Sequence, residues 1–310
     1  MTKKVMAIIG TGAIGGYYGA RLHHGGHDVH FLFNSDYSHV CENGLVVDSH
    51  YGDFSIPRDA LQAYQSSHDM PKADVIFVSI KTTQNHLLSS LVSPITKPDS
   101  LIVLLQNGIG AEEELSQQIK TPLIAGGLCF ICSNKIGPGH IDHIDYGRLT
   151  LGGLNDQSLP LVQDIADDLK NSGVETDVEN SILTARWKKL LWNVPFNGLS
   201  AVLSADTEQI MRCKELVALA KTIMIEVKNV AKTTGTELPM TLIDTMLTNT
   251  ATMKPYQTSM LLDLKHQRAL ELQYMYKNVL DIAQKNRVEM PKTETLYQQL
   301  CFIDPSYSGQ

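Results

Sequence analysis

The chain contains no apolar run approaching the ~20 residues that cross a bilayer, which excludes a helical membrane span. Its Lys and Arg number 26 against 33 Asp and Glu, a formal net charge of −7. That balance argues against nucleic acid or an anionic membrane as the main partner. There is no internal repeat and no low-complexity tract. The apolar run after Lys4 is only five residues, Val5 to Ile9, and ends in glycine. It is too short for the core of an export signal, so the five cysteines are expected to be reduced thiols of a cytoplasmic protein. Cys129-Phe130-Ile131-Cys132 matches C-x-x-C, but no second cysteine pair completes a metal site. On a strand, positions three apart point to opposite faces, which makes these packing cysteines. The eleven histidines are scattered and no metal is expected.

What is present starts at the N-terminal end. Val5-Met6-Ala7-Ile8-Ile9 runs directly into Gly10-Thr11-Gly12-Ala13-Ile14-Gly15-Gly16, an apolar strand emptying into a glycine turn that opens a helix. The spacing G-x-G-x-x-G is weak alone and informative in this setting. The first glycine allows a tight turn, the second lets a pyrophosphate approach, and the third lets helix and strand pack closely. The helix is expected over 13–24, capped by Gly25-Gly26, with a second strand over 29–33. Gly10, Thr11, Gly12, Ala13, Ile14 and Gly15 are therefore read as a dinucleotide site.

Strand and helix patterns alternate up to about residue 180. Segments 44–48 and 51–56 read as a small hairpin. The runs 73–80 and 101–105 read as central parallel strands, the first ending at Lys81 and the second at Gln106-Asn107-Gly108. In such sheets ligands collect beyond the C-terminal ends of strands. Lys81 and Asn107 are well placed for that, although each is also accounted for by a solvated strand end or a turn.

From about residue 181 helical periodicity takes over, near 181–194, 213–234, 240–253 and 258–286, with Gly235, Pro239 and Pro255 as punctuation. The expected organisation is an α/β domain over 1–180 and an all-helical domain over 181–310. At 310 residues the chain is long enough for both cores. Lys189, Asn193 and Asn197 are spaced i, i+4, i+8, one polar stripe on a helix. Leu190, Leu191, Trp192, Val194 and Phe196 surround it, too apolar for a solvated face. A buried stripe needs hydrogen-bond partners, which either a ligand or a neighbouring helix can supply. Pro195 is expected to loosen the backbone ladder near Leu191.

Taken in order, these pieces resemble the ketopantoate reductase (2-dehydropantoate 2-reductase) family over nearly the whole chain. The resemblance rests on the glycine turn, Ile80-Lys81, Gln106-Asn107-Gly108-Ile109-Gly110, Pro138-Gly139-His140-Ile141 and Trp187-Lys188-Lys189-Leu190 with Asn193 and Asn197. It continues through Ser259-Met260-Leu261-Leu262-Asp263, Glu271, and Pro291 to Tyr297. It implies a Rossmann-type dinucleotide domain followed by an all-α C-terminal domain of the 6-phosphogluconate-dehydrogenase-like kind. It also implies NADH- or NADPH-dependent reduction of a 2-keto acid in pantothenate synthesis. By that resemblance Lys189 is the general acid, while Asn107, Asn193 and Asn197 orient the substrate. Ser259 binds the carboxylate, Glu271 accepts from a distal hydroxyl, and Lys81 and Asn107 serve the cofactor side. Related proteins are often dimers, and the helical domain offers surface for a homodimer.

Three departures stand out. The family's arginine at the end of the second strand, partner of the NADPH 2′-phosphate, is Asn34 here. Asp36 stands where an acid accepts from a ribose 2′-hydroxyl. These two residues lean toward NADH, whereas family habit is NADPH. Tyr276-Lys277 replaces a common Asn-Gly pair, leaving open a reductase of a different 2-keto acid; a nucleotide-sensing protein without catalysis is the remaining alternative. Finally, Ser259 and Glu271 are twelve residues apart, about 18 Å on a continuous helix, so both can serve one small substrate only if the chain breaks between Asp263 and Leu270.

Overall fold

A computed structural model describes residues 4–119 and 123–306. The chain divides into two compact units, Met1–Gln106 with Ala111–Ala185, and Asn107–Gly110 with Arg186–Gln310.

The first unit is α/β. Its strands are β1 (Val5–Ile9), β2 (Asp28–Leu32), β3 (Leu45–Ser49), β4 (Phe54–Ile56), β5 (Gln62–Tyr64), β6 (Ala73–Val78), β7 (Thr96–Leu104), β8 (Ile124–Gly137), β9 (His140–Gly153) and β10 (Thr176–Val178). Among the described residues they form one sheet in the order β4-β3-β9-β8-β7-β6-β1-β2-β5, with β10 beside β9. The stretch from β8 to β5 is parallel. From β1 the chain moves outward to β2 and later returns to β6 on the other side of β1. That reversal makes the C-terminal ends of β1 and β6 a topological switch point, where ligands of open α/β sheets bind. The interior strands are nearly continuous in buried apolar residues, as two covered faces require.

Helices α1 (Ala13–His24), α2 (Tyr37–Asn43), α3 (Leu88–Val92), α4 (Ala111–Gln118) and α5 (Leu159–Asn171) complete this unit. Helix α1 has the expected bounds. It stops because Gly26 adopts φ +86, letting its N–H reach the His23 carbonyl while that of His27 reaches Leu22. In α5, Val162, Ile165, Ala166 and Leu169 form the buried stripe. The 44–56 hairpin is present as β3 and β4. Strand β7 starts ahead of the 101–105 run, where Thr96 pairs with Ala73 of β6, and β8 is long because it finds an antiparallel partner in β9. That partner is half polar along its length and gave no continuous apolar run.

The second unit is helical. Helix α6 (Ile182–Leu203) begins in the first unit and continues through Pro195. It is followed by α7 (Thr207–Arg212), α8 (Lys214–Thr233), α9 (Met240–Thr252), α10 (Ser259–Lys265), a π-helical turn (Gln273–Lys277), α11 (Asn278–Lys285) and α12 (Pro291–Ile303). The segment 258–286 is thus three pieces rather than one helix. The break lies where the Ser259–Glu271 separation required it. Gln267 takes φ +54, its N–H bonds to the Leu264 carbonyl, and that of Arg268 reaches Asp263. This is a Schellman stop built without glycine. An ion pair of 2.8 Å between Arg268 and Asp263 closes it. The Pro291–Tyr297 motif is explained by Glu226 of α8. Its buried carboxylate accepts from the N–H groups of Lys292 and Thr293 and from the Thr293 hydroxyl, at 3.0, 2.9 and 2.7 Å. It caps α12 from another helix.

Two stability predictions follow from this packing. A Cβ at Gly15 would lie 2.2 Å from Ser79 Oγ and 2.4 Å from the Gly10 carbonyl oxygen, whereas one at Gly12 would meet nothing within 4 Å. Gly15→Ala is expected to cost about 3 kcal/mol in urea unfolding and Gly12→Ala less than about 1 kcal/mol. Glu226→Ala, which strands two helix-terminal N–H groups, is expected to cost about 3 kcal/mol in the same measurement.

Candidate active site

In the first unit, the glycine turn lies at the switch point and is clamped from both sides. Gly10 turns the chain at φ +93. Ser79, just past β6, donates from its hydroxyl to the Gly10 carbonyl at 2.7 Å, and Thr11 Oγ1 donates to Leu32 at the end of β2, 2.9 Å. Helix α1 carries no side-chain cap at Gly12, so its first N–H groups remain available to an anion. Gly10 to Ile14 are partly open and Gly15 is buried. Open space at the second glycine and close packing at the third are what a bound pyrophosphate requires. The residues present therefore fit a dinucleotide.

At the neighbouring strand ends, Lys81 is half-buried just after β6. Gln106 donates to the Ile80 carbonyl at 2.8 Å and to Asn85 Oδ1 at 2.7 Å, tying the end of β7 to that of β6. Asn34 is exposed beyond β2.

Asp36 is not the open acceptor expected for a ribose hydroxyl. Its side chain is only 7% exposed. Its oxygens accept from Lys135 Nζ at 2.7 and 2.8 Å, from the Gly139 N–H at 3.0 Å and from Ser35 Oγ at 3.0 Å. These four bonds engage both oxygens of the carboxylate. Burial raises the Asp36 pKa, but the bonds from Lys135, Gly139 and Ser35 outweigh it and hold the carboxyl below its ordinary value. The sequence missed Lys135 because its partner is 99 positions away. No local pattern links β8 to the end of β2.

The second unit gathers most of the residues expected to meet substrate. Loop 107–110, although it follows β7, belongs here. The Ile109 N–H donates to the Tyr274 carbonyl at 2.9 Å, and Asn278 Nδ2 donates to the Ile109 carbonyl at 2.7 Å. A Cβ at Gly108, where φ is +89, would lie 2.6 Å from the Tyr274 backbone. Asn107 is thereby held at the π-helical turn. Such turns cluster at functional sites. Helix α6 carries Lys189, Asn193 and Asn197 on one face, half-buried, 7% and 2% exposed respectively. Asn197 Nδ2 reaches Met275 Sδ at 3.3 Å, and Tyr276 donates to the Val194 carbonyl at 2.8 Å. Asn193 makes no side-chain hydrogen bond among the described residues, although it is nearly buried. Glu271, 9% exposed, stands two residues before the same turn.

The π-helical turn thus joins the Asn107 loop to the α6 stripe, with Glu271 at its start. Ser259 is exposed at the start of α10, directly after the cap Thr258. The Tyr276-Lys277 departure is absorbed by packing. Tyr276 is fully buried, and burial raises its hydroxyl pKa far above the ordinary value. Lys277 pairs with Asp281 one helical turn on. Sequence analysis does not single out Tyr274 or Asn278, because helical periodicity over this stretch carries no sign of a π turn. Among the described residues no group of three His, Cys, Asp or Glu side chains could hold a metal, and no helix is long and apolar enough to cross a membrane. The five cysteines are unbridged.

Comparison with known proteins agrees with this geometry. The family model described as "Ketopantoate reductase PanE/ApbA" matches residues 6–156, and the one described as "Ketopantoate reductase PanE/ApbA C terminal" matches 181–304. A 2-dehydropantoate 2-reductase of Nostoc sp. strain PCC 7120 is 45% identical, with 98% of this chain and 96% of that protein covered. The crystal structure of 2-dehydropantoate 2-reductase from Geobacter metallireducens GS-15 superposes with a TM-score of 0.92 at 35% identity, covering 95% of this chain and 98% of that one. That from Methylococcus capsulatus gives 0.88 at 33% identity, covering 98% of each. With family models matching 6–156 and 181–304 and a relative 45% identical over 98% of this sequence, the chain belongs to the ketopantoate reductase family.

Proposed function

We propose that this protein reduces 2-dehydropantoate to pantoate with a reduced nicotinamide cofactor, in pantothenate synthesis. The observation that carries the reading is the framework in the helical unit. One π-helical turn ties the Asn107 loop to the helix bearing Lys189, Asn193 and Asn197, with Glu271 at its start. The full-length likeness to a 2-dehydropantoate 2-reductase supports the choice of substrate.

The cofactor, when bound, supplies the hydride. Lys189 supplies the proton that converts the ketone oxygen to a hydroxyl, and its ammonium offsets the negative charge that develops there. Asn193, nearly buried and without a side-chain partner among the described residues, is suited to hydrogen-bond the keto acid, as is Asn107. Glu271 accepts from the hydroxyl at the far end of the substrate. A buried carboxylate matched to a hydroxyl discriminates strongly against an analogue lacking it. Ser259 is the proposed carboxylate partner, at the start of α10. On the nucleotide side, Gly10 to Gly15 receive the pyrophosphate and Lys81 serves the cofactor. Asn34 is neutral and Asp36 is paired with Lys135, so the end of β2 does not repel a 2′-phosphate. NADH and NADPH are both accepted.

The direct test is oxidation of NADH and NADPH, run separately, on 2-dehydropantoate. Turnover with neither would overturn the reading. Lys189→Ala is expected to lower kcat roughly 10²–10⁴-fold with the cofactor dissociation constant nearly unchanged, and parental kcat in that variant would remove Lys189 as the acid. Glu271→Ala is expected to cut the kcat/KM preference for 2-dehydropantoate over 3,3-dimethyl-2-oxobutanoate, which lacks only the hydroxyl, by roughly 10²-fold. An undiminished preference would show that Glu271 does not read that hydroxyl.

A further inference from the structure

The end of β2 lacks a cation of its own, as Asn34-Ser35-Asp36-Tyr37 contains neither Lys nor Arg. The fold delivers one from elsewhere. Lys135, near the tip of the β8–β9 hairpin, reaches Asp36 with Nζ 2.7 and 2.8 Å from its two oxygens. The Gly139 N–H, from the same tip, binds the same carboxylate at 3.0 Å. The two partners differ in position. The lysine side chain is 36% exposed and the aspartate 7%.

The pair is neutral in sum but polarised, with its carboxylate inward and its ammonium toward solvent. Two of the three ammonium N–H donors suffice for Asp36, leaving one for another acceptor. Asn34, exposed at the same strand end, adds an amide. An ammonium and an amide beside the strand that borders the adenosine ribose are donors suited to a phosphate.

Building on the nicotinamide-dependent reading above, we propose that Lys135 is the residue that recognises the 2′-phosphate of NADPH, and that Asp36 is a positioning residue holding the ammonium there. Cofactor choice is then set by a strand remote in sequence, not by β2. Asp36 saturates its own acceptor sites in doing so, which removes the acid that would otherwise select the bare ribose.

Calorimetric titration with 2′,5′-ADP and 5′-AMP, which differ only in the 2′-phosphate, tests this without turnover. The parental protein is expected to bind 2′,5′-ADP more tightly. Lys135→Ala should reduce the ratio of the two affinities at least roughly tenfold, Lys135→Arg should keep most of it, and Asp36→Asn, which releases the ammonium from its place, should lower it by a smaller factor. Because Lys135→Ala strands a buried carboxylate, the double variant Lys135→Met with Asp36→Asn serves if the single one does not fold, with the same loss expected. The ratio of kcat/KM for NADPH to that for NADH should move in the same direction in each variant. Equal binding of the two nucleotides by the parental protein, or an unchanged ratio on removal of Lys135, would overturn the proposal. Nucleotide discrimination that persists while 2-dehydropantoate is not reduced would instead count against the reductase reading alone.

Discussion

The seating of one glycine loop on one π-helical turn fixes where residues 107–110 lie in the helical unit. Gly108 turns at φ +89 with its α-carbon pressed against the Tyr274 backbone, so closely that a Cβ would lie 2.6 Å away. The Ile109 N–H and carbonyl then close hydrogen bonds to Tyr274 and Asn278. These backbone contacts make a loop that follows a strand of the α/β unit part of the helical unit. Asn107 is held where the same turn, through Met275 and Tyr276, also engages Asn197 and the Val194 carbonyl of α6. A π turn makes that convergence feasible, because its wider ring displaces side chains from the ordinary helical register.

The nucleotide side obeys a different constraint. There the fold reverses direction between β1 and β6, and Ser79 pins the resulting crevice by bonding to the Gly10 carbonyl. Gly15 is tightly packed, whereas a Cβ at Gly12 would meet nothing within 4 Å. The Asp36–Lys135 pair shows how a local acid changes meaning in three dimensions. In sequence it is an isolated carboxylate after a strand; in the fold it is a saturated acceptor that anchors a lysine from another strand.

Much of this was legible in the chain where the information is local. The glycine turn with the bounds of α1, the strands that precede Lys81 and Asn107, and the Lys189–Asn193–Asn197 stripe all follow from short-range spacing. The helix break after Lys265 was inferred from reach, since Ser259 and Glu271 could not otherwise meet one small molecule. Its chemistry was hidden, because Gln267 adopts the conformation usually given to glycine. What escaped were long-range partnerships. Strand β9, too polar to read as buried, earns no apolar pattern of its own and is defined by pairing with β8. Glu226 caps a helix that begins 65 positions later, and Lys135 answers an acid 99 positions away. No periodicity encodes such pairs.

The loop's seat on the π turn can be probed without touching any residue assigned to substrate or cofactor. Asn278→Leu keeps the size of the side chain and removes the donor to the Ile109 carbonyl. With the Asn107 loop no longer fixed, kcat/KM for 2-dehydropantoate should fall roughly tenfold to 10²-fold, while the dissociation constant of the reduced cofactor and the unfolding midpoint change little. Unaltered kcat/KM in a variant whose loop is shown to be loosened by amide hydrogen exchange would contradict the claim that this contact organises the site.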